Sequence, residues 1–271
     1  MKNWKKIALV SGTLFLAGLF LVGCSSKKET AKKEITMATV GTTRPFSYAD
    51  SKGELTGYDI ELARAIFKDS DKYTLKFQKV EGTAQYPGLD AGKFDMLGNN
   101  TSYTKERAEK YLYSLPTAST PSVLAVDKKS DIKSIDDIGG HSSQAVSGTT
   151  TAQFLEDYNK DHADKVTIDY TNEDITNILH NVNDGKYDFK IFDAPSINSI
   201  IKDQGLDNLK TIDIASDDVP YIYYIFTKDN KDLQSFVNKR IKELYADGTI
   251  SKLTKKFFGA DYAPKKEDIE K

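Results

Sequence analysis

The sequence predicts an α/β fold with mostly parallel sheets, because short β-prone runs alternate with amphipathic helical segments along the chain. A break rich in Ser, Thr and Pro at 116–121 separates two such sets, and 271 residues suffice for one or two domains. A four-residue echo, Gly-Lys-Phe-Asp at 92–95 and Gly-Lys-Tyr-Asp at 185–188, stands between a helix and a strand in each set. The echo marks either an equivalent unit in both halves or a coincidence of common turn residues.

The first set of elements follows from alternation and helical spacing. Strands are predicted at 35–40, 73–80 and 94–97. A helix is predicted from Asp59, because its apolar residues recur on one face: Ile60, Ala63, Ile66 and Phe67. A short helix should precede Gly92, and another should begin near Thr104.

The second set continues the alternation. Strands are predicted at 123–126, 166–170, 189–192 and 221–226, and helices at 133–138, 151–158 and 174–182. A long amphipathic helix should follow, with Asp232 as its cap and Gly248 as its stop.

The first 24 residues have the pattern of an exported lipoprotein. Lys2, Lys5 and Lys6 precede an apolar run of 16 residues at 7–22, which is shorter than the roughly 20 that span a bilayer. We therefore expect a signal peptide at 1–23 in preference to an uncleaved signal anchor. The chain's single cysteine, Cys24, comes next and resembles the lipobox cysteine of bacterial lipoproteins, which is acylated and becomes the mature N-terminus. Residues 24–33 are expected to be a flexible tether.

Composition and motifs exclude several classes of function. Lys plus Arg total 38 against 40 Asp plus Glu without a basic block, which gives no electrostatic footprint for nucleic acid. One cysteine excludes an internal disulfide. The three histidines lack the spacing of a metal site, and 88–94 departs from a P-loop in its glycine spacing and lacks the required Ser or Thr. No metal or cofactor is expected, and catalysis is left without support.

A rare arginine and several polar residues indicate a binding site for a dipolar solute. Arg107, one of only four arginines, follows Asn100 and Ser102 in a polar segment, and its planar guanidinium matches a carboxylate. Thr149 and Thr150 open a helix, whose free N–H groups also favour an anion. An acid after the apolar run 189–192, Asp193, could hold an ammonium. Each has a plainer interpretation (a surface arginine, helix capping, a turn), but together they suit a zwitterionic α-amino acid.

Six stretches, in order over nearly the full length, carry a family resemblance: 45–48 (Pro-Phe-Ser-Tyr), 53–63 (Gly-Glu-Leu-Thr-Gly-Tyr-Asp-Ile-Glu-Leu-Ala), 92–95, 102–107, 148–150 (Gly-Thr-Thr) and 247–249 (Asp-Gly-Thr). The mature chain resembles the solute-binding lipoproteins of ABC importers for polar amino acids (bacterial extracellular solute-binding proteins, family 3). The resemblance implies a two-lobed periplasmic-binding-protein-like (type II) fold with a cleft between the lobes and two crossover strands. Lobe 1 would comprise 34–117 and 221–271, and lobe 2 would comprise 118–220.

The resemblance also implies roles for the polar residues. Arg107 would bind the ligand carboxylate together with the backbone N–H groups of Ser102 and Thr150. Asp193 would bind the α-ammonium, with help from Asn100 and Ser102. The implied partners are a small polar ligand and an ABC permease. The chain would act as a lipid-anchored monomer at the extracytoplasmic face of the bacterial cell membrane.

Departures from the family pattern bear on the ligand. Many members place two aromatic rings around the ligand side chain where this chain has Thr43 and Gly82, and Val40 replaces the acid of members that bind basic amino acids. Arg44 on the same loop could meet a second carboxylate or stay solvated. The segment 103–112 is most similar to the cystine- and glutathione-binding branch. Cystine is therefore expected first, with glutathione or another γ-glutamyl peptide as the alternative.

Two other functional classes stay open at this point. A cleft enzyme of the same fold, such as a dehydratase or a hydrolase, would need a titratable group that faces the ligand. A signalling or adhesion lipoprotein would bind a macromolecule and would show no thermal shift with small ligands.

Overall fold

The described part of the chain is residues 31–215 and 220–271 of a computed structural model. Residues 32–271 form one unit. The predicted signal peptide, Cys24 and the tether as far as residue 30 lie outside the described residues. Between residues 31 and 271, every helix that the structure describes is too short or too polar to cross a membrane.

The strands, in chain order, are β1 (Lys33–Thr39), β2 (Thr42–Thr43), β3 (Ser47–Ala49), β4 (Leu55–Thr56), β5 (Tyr73–Lys79), β6 (Met96–Leu97), β7 (Tyr111–Tyr113), β8 (Ala118–Ser119), β9 (Ser122–Asp127), β10 (Ser142–Ala145), β11 (Thr167–Tyr170), β12 (Phe189–Asp193), β13 (Leu209–Asp213), β14 (Tyr221–Ile222) and β15 (Ile225–Thr227).

The α-helices, in chain order, are α1 (Tyr58–Phe67), α2 (Gln85–Asp90), α3 (Lys105–Lys110), α4 (Thr150–Asp161), α5 (Ile175–Asn183), α6 (Ala194–Gln204), α7 (Lys231–Ala246), α8 (Thr249–Phe258) and α9 (Lys266–Ile269). Short 3₁₀ helices occupy Gly82–Ala84 and Ile135–Asp137. Strands and helices alternate along most of the chain, which confirms the predicted α/β class.

The larger sheet has the strand order β5-β1-β6-β15-β7. β1 runs parallel to β5 and β6, and its buried side chains include Ile35 and Met37. Along β5 the side chains alternate between half-buried and exposed, as the sequence alternation predicts for an edge strand with one packed face. Helices α1, α7 and α8 pack with this sheet around one apolar core that includes Ile60, Val237 and Phe258.

A second, three-stranded sheet has the order β12-β9-β13. Successive side chains of β9 point to opposite faces, and both faces are covered. Leu124 and Val126 belong to one apolar cluster, whereas Val123 and Ala125 belong to another. This two-sided burial explains why the sequence of β9 is an unbroken apolar run and lacks alternation. A parallel pair, β10 with β11, packs beside it.

The prediction of mostly parallel sheets is wrong for the described strands. β9 runs antiparallel to β12 and β13, and β15 runs antiparallel to β6 and β7. The strands that pair with β9 and β15 lie far from them in the sequence, so the direction of each pairing depends on how the chain enters the sheet and not on a local connection.

Two predicted boundaries also differ. The strand expected at 221–226 is broken into β14 and β15, because the N–H groups of Tyr223 and Tyr224 leave the ladder and donate to the Thr101 carbonyl and the Ser114 hydroxyl. Asp232, the expected cap, lies in the first turn of α7, and Asn230 holds the cap position.

Two short antiparallel strands, β8 and β14, join the larger sheet to the three-stranded sheet. Hydrogen bonds extend their pairing on both sides: the Thr117 N–H donates to the Ile222 carbonyl (2.9 Å), and the Thr120 N–H donates to the Pro220 carbonyl (2.8 Å). These strands lie where the crossings were expected. The exact division into 34–117 with 221–271 and 118–220 stays a prediction.

The backbone at Gly57, directly before α1, generates a testable prediction. Gly57 has φ 119° and ψ 171°, and a Cβ there would lie 2.3 Å from the Phe46 carbonyl oxygen. This region of backbone space is nearly exclusive to glycine. Gly57→Ala should lower the free energy of unfolding by about 3 kcal/mol or more, measured by urea denaturation.

Gly53→Ala is the matched control. Gly53 also has a positive φ (81°), but a Cβ there would meet nothing within 4 Å. Its cost should be about 1–2 kcal/mol, the penalty of a left-handed residue alone. Equal losses in the two variants would contradict the steric account of Gly57.

Candidate functional site

A cavity of about 570 Å³ lies between the larger sheet and the three-stranded sheet. Six of the seven residues predicted to bind ligand line it: Asn100, Ser102, Arg107, Thr149, Thr150 and Asp193. They come from distant parts of the sequence, and both sheets contribute to the walls. The seventh, Arg44, lies outside this lining.

Arg107 is held half-buried at the start of α3. The hydroxyl of Thr104, the N-cap residue, accepts from the Arg107 backbone N–H (3.2 Å). The guanidinium donates to the Ser102 carbonyl (3.4 Å) and lies 5.2 Å from the centre of the Tyr86 ring. A guanidinium has five N–H donors, so most of them have no acceptor among the described residues.

The other three arginines each pair with a carboxylate: Arg44 with Asp203, Arg64 with Glu61 and Arg240 with Glu243. Among the residues that the structure describes, Arg107 has no such partner. A cleft arginine without a counter-charge is the arrangement that a carboxylate ligand requires.

Thr149 is the N-cap residue of α4, so the structure agrees with helix capping, the plainer interpretation of this residue. Its hydroxyl accepts from the Ala152 N–H (3.2 Å) and donates to the Val146 carbonyl (2.7 Å), so its side chain is already occupied. Thr150 is exposed and begins the helix. The first N–H groups of a helix lack an intrahelical acceptor, so the backbone of α4, and not the Thr149 hydroxyl, is what this segment offers to an anion.

Asp193 is buried at the end of β12 and caps α6. Its carboxylate accepts from the Ser196 N–H (2.8 Å), the Ser196 hydroxyl (3.1 Å) and the Asn100 side-chain amide (2.9 Å). Burial raises the pKa of Asp193 above its usual range, because the charged form loses its hydration. A cationic group in the cavity would stabilise that charged form.

Asp59 holds the backbone of Asn100 in place through a hydrogen bond. Its carboxylate accepts from the Asn100 backbone N–H (2.7 Å), and Asn100 itself has a left-handed backbone with φ 49°. Burial raises the pKa of Asp59 to about 7, and the hydrogen bond from Asn100 opposes part of that rise. Asp59 comes from α1 and Asp193 from β12, so Asn100 connects two buried acids across the cleft.

The two positions that hold aromatic rings in many family members, Thr43 and Gly82 in this chain, belong to the cavity wall. Val40, Thr43 and Gly82 all line the cavity, and the aromatic side chains in the lining are Tyr86 and Phe192. The positions that hold ring pairs in many family members therefore leave open space in this cavity.

Arg44 lies at the outer rim between the two halves. It stacks over Tyr48 (3.9 Å from Cζ to the ring centre) and reaches Asp203 (3.9 Å), and the Ser196 hydroxyl donates to its carbonyl oxygen (3.2 Å). The peptide bond between Arg44 and Pro45 is cis. The structure does not bring Arg44 to the cavity with the other predicted residues.

Sequence reasoning missed Lys190, which lines the cavity from the middle of β12. Its signal in the sequence is a lysine inside an otherwise apolar run, Phe189-Lys190-Ile191-Phe192. A lysine in a buried strand is uncommon unless its charge is paired or used. Within residues 31–215 and 220–271, no group of three or more His, Cys, Asp or Glu could hold a metal ion.

The raised pKa of Asp59 predicts a pH effect on stability. Between the ordinary Asp pKa of 3.8 and about 7, the folded chain keeps a proton on Asp59 that the unfolded chain has lost. Folding then takes up a proton, so the free energy of unfolding should fall as pH rises through this window. Asp59→Asn keeps an acceptor for Asn100 but cannot hold the proton. Between about pH 5 and about pH 7, its free energy of unfolding should therefore fall by on the order of 2 kcal/mol less than that of the parent.

Urea denaturation of both proteins at the two pH values measures this difference. Asp203→Asn, at an exposed acid of the rim, is the control and should keep the parental pH dependence. A parental dependence in Asp59→Asn as well would mean that Asp59 is ionised in the folded state.

Comparisons with known proteins agree with the geometry. Residues 35–260 match the model of the bacterial extracellular solute-binding proteins, family 3. The probable amino-acid-binding protein YxeM of Bacillus subtilis (strain 168) is 32% identical over 269 residues, which cover 96% of this chain and 97% of that protein. The L-cystine-binding protein TcyJ of the same organism is 27% identical over 268 residues, with 96% and 98% covered.

One solved structure is much more similar. It was determined in work on glutathione import via GshT and the cystine ABC importer TcyBC of Streptococcus mutans, and it is 58% identical with a TM-score of 0.84. The match covers 88% of this chain and 99% of that chain. An ancestral arginine-binding protein is 26% identical with a TM-score of 0.74, covering 84% and 99%. This chain therefore belongs to the bacterial extracellular solute-binding proteins of family 3 and has the predicted two-lobed fold.

Proposed function

We propose that this protein is the solute-binding component of an ABC importer, which captures a polar solute with an α-amino-acid group and delivers it to the permease. The observation that carries the proposal is a pair of opposite charges in one cavity. Arg107 lies on the larger-sheet side without a carboxylate partner among the described residues, and the buried Asp193 lies on the other side. A zwitterion complements both.

The chemistry of capture follows from these two groups. The ligand carboxylate would bind the Arg107 guanidinium and the backbone N–H groups of Ser102 and Thr150. The ligand ammonium would bind Asp193, with Asn100 beside it. Because the two charges sit on opposite halves, a ligand that contacts both stabilises the closed form by its differential affinity for that form. Exclusion of water then strengthens both contacts.

Glutathione and cystine are the ligands that we propose, and the support for each differs. Relatives named L-cystine-binding proteins are 27% and 31% identical. The structure that is 58% identical comes from work on glutathione import. We therefore put glutathione first in a binding test and cystine second, which reverses the order that the sequence favours.

Binding without catalysis fits the site best. The relatives are named as binding proteins, and the buried acid Asp193 accepts three hydrogen bonds that hold it in place. A dehydratase-like enzyme would convert its bound amino acid, so mass spectrometry of the ligand after long incubation distinguishes that alternative. A macromolecule-binding lipoprotein would give no thermal shift with either small ligand.

The site of action is outside the cytoplasm, as for the extracellular solute-binding proteins to which the chain belongs. We propose further that Cys24 carries the lipid anchor, that the tether runs from 24 to 32, because Lys33 already belongs to β1, and that the protein acts as a monomer with the permease. Two or more acyl chains suffice for stable anchoring.

Arg107→Ala tests the carboxylate clamp. Loss of the guanidinium leaves the ligand carboxylate desolvated without its partner, so binding should weaken by about 3 kcal/mol, or on the order of 100-fold. Isothermal titration calorimetry with glutathione and with cystine measures it. Arg64→Ala is the control, because Arg64 on α1 pairs with Glu61, donates to the Leu55 carbonyl of β4 and lies outside the cavity lining. An unchanged affinity in Arg107→Ala would remove Arg107 from the site.

Cys24→Ser tests the anchor. The variant should lose incorporation of labelled palmitate and move from the membrane fraction to the soluble fraction, because no acyl chain can be attached. Lys28→Ala, in the predicted tether, should keep both. Retention of Cys24→Ser in the membrane fraction would instead support an uncleaved signal anchor.

A further inference from the structure

Lys190 occupies an unusual place for a lysine. It stands in the middle of β12, opposite Ala125 of β9, and its neighbours Phe189 and Ile191 belong to an apolar cluster. Only 3% of its surface is exposed, yet it lines the same cavity as Arg107 and Asp193. Lysines are almost never so deeply buried unless they are paired.

The ammonium of Lys190 is only partly satisfied. It donates one hydrogen bond, to the Gln144 carbonyl oxygen (2.8 Å), whereas an ammonium has three donors. Among the described residues, no carboxylate forms an ion pair with it. Burial lowers the pKa of Lys190 to about 8, so the group is still mainly protonated at neutral pH. Within the described part of the chain, the cavity wall therefore carries a buried cation without a counter-charge, which is costly.

Besides Asp193, two acids of the cavity lining have hydrogen-bond partners of their own. Glu173 and Asp174 both line the cavity. The Glu173 carboxylate accepts from the Asn181 side-chain amide (2.9 Å), and the Asp174 carboxylate accepts from the Asn177 N–H as the cap of α5 (2.9 Å). Neither forms an ion pair with Lys190, so the described residues do not supply its counter-charge, and an anionic ligand in the cavity would supply it.

We propose that Lys190 binds a second carboxylate of the ligand, separate from the carboxylate held by Arg107, so that the protein selects amino-acid derivatives with two carboxylates. This inference rests on the proposed function and adds the class of ligand to it. Lys190 takes the role that the sequence suggested for Arg44, which is engaged at the rim with Asp203 and Tyr48. Glutathione and cystine both meet the requirement, and amino acids with one carboxylate do not.

The test compares two ligands that differ in one charge. Glutathione and its monoethyl ester, esterified at the glycine carboxylate, are titrated by calorimetry into the parent protein and into Lys190→Met. The parent should bind the acid at least about 10-fold more tightly than the ester, the size of a lost charge-assisted contact. Lys190→Met should bind both ligands with the affinity that the parent has for the ester. Cystine and its monomethyl ester form a second pair.

Lys210→Met is the matched control. Lys210 lies on β13 of the same sheet and also donates to one backbone carbonyl, that of Lys128 (3.3 Å), but its side chain is outside the cavity lining. This variant should discriminate acid from ester as the parent does. The discrimination ratio is the readout, because a purely structural loss in Lys190→Met would weaken both ligands and leave their ratio unchanged.

The outcomes separate this inference from the proposed function. Equal affinity of the parent for acid and ester overturns the inference, whatever happens to the stability of Lys190→Met. An unchanged ratio in a folded Lys190→Met overturns it as well. If the parent binds neither glutathione, nor cystine, nor any single amino acid, the proposed function fails first and the inference with it.

Discussion

Asn100 ties the two halves of the cleft together through a short chain of hydrogen bonds. Its backbone N–H donates to the carboxylate of Asp59 (2.7 Å), and its side-chain amide donates to Asp193 across the cleft (2.9 Å). Asp59 is fixed in turn, because its backbone carbonyl accepts from the Tyr224 hydroxyl (2.6 Å). The left-handed backbone of Asn100 lets one residue satisfy both acids. The position of Asp193 thus depends on a residue from the opposite half.

The electrostatics of the cleft follow from this geometry. Burial disfavours the charged forms of Asp193 and Lys190, and Arg107 has no counter-charge among the described residues. A ligand that brings the missing charges relieves these costs only when both halves surround it. At the rim, the Arg44–Asp203 pair is about two-fifths exposed on each side, and exposed pairs contribute little. The contacts inside the cavity are therefore the main source of a preference for the closed form.

Local sequence patterns predicted most of the elements, and six of the seven residues that the sequence nominates as ligand-binding line the cavity. The faces of α1 and β5 followed from periodicity, because one-sided burial leaves a regular pattern in the sequence. Thr104 and Thr149 were recognised at helix starts, because capping depends on neighbouring residues only. Arg107 was recognised through its rarity and its polar neighbours, and the resemblance to a family connected it with Asp193.

Strand direction and long-range contacts depended on the tertiary structure. The antiparallel setting of β9 and β15 reflects how the chain enters each half, which no local pattern records. Arg44 lies only one residue from the cavity-lining Thr43, yet contacts with Asp203 and Tyr48 hold it at the rim. Lys190 looks like an irregularity within an apolar strand until the fold brings it to the same cavity as Arg107. The sequence by itself determined most of the helices, about half of the strands and which residue types can bind a zwitterion. Only the tertiary structure decided which charges share a cavity, because that depends on contacts between residues far apart in the chain.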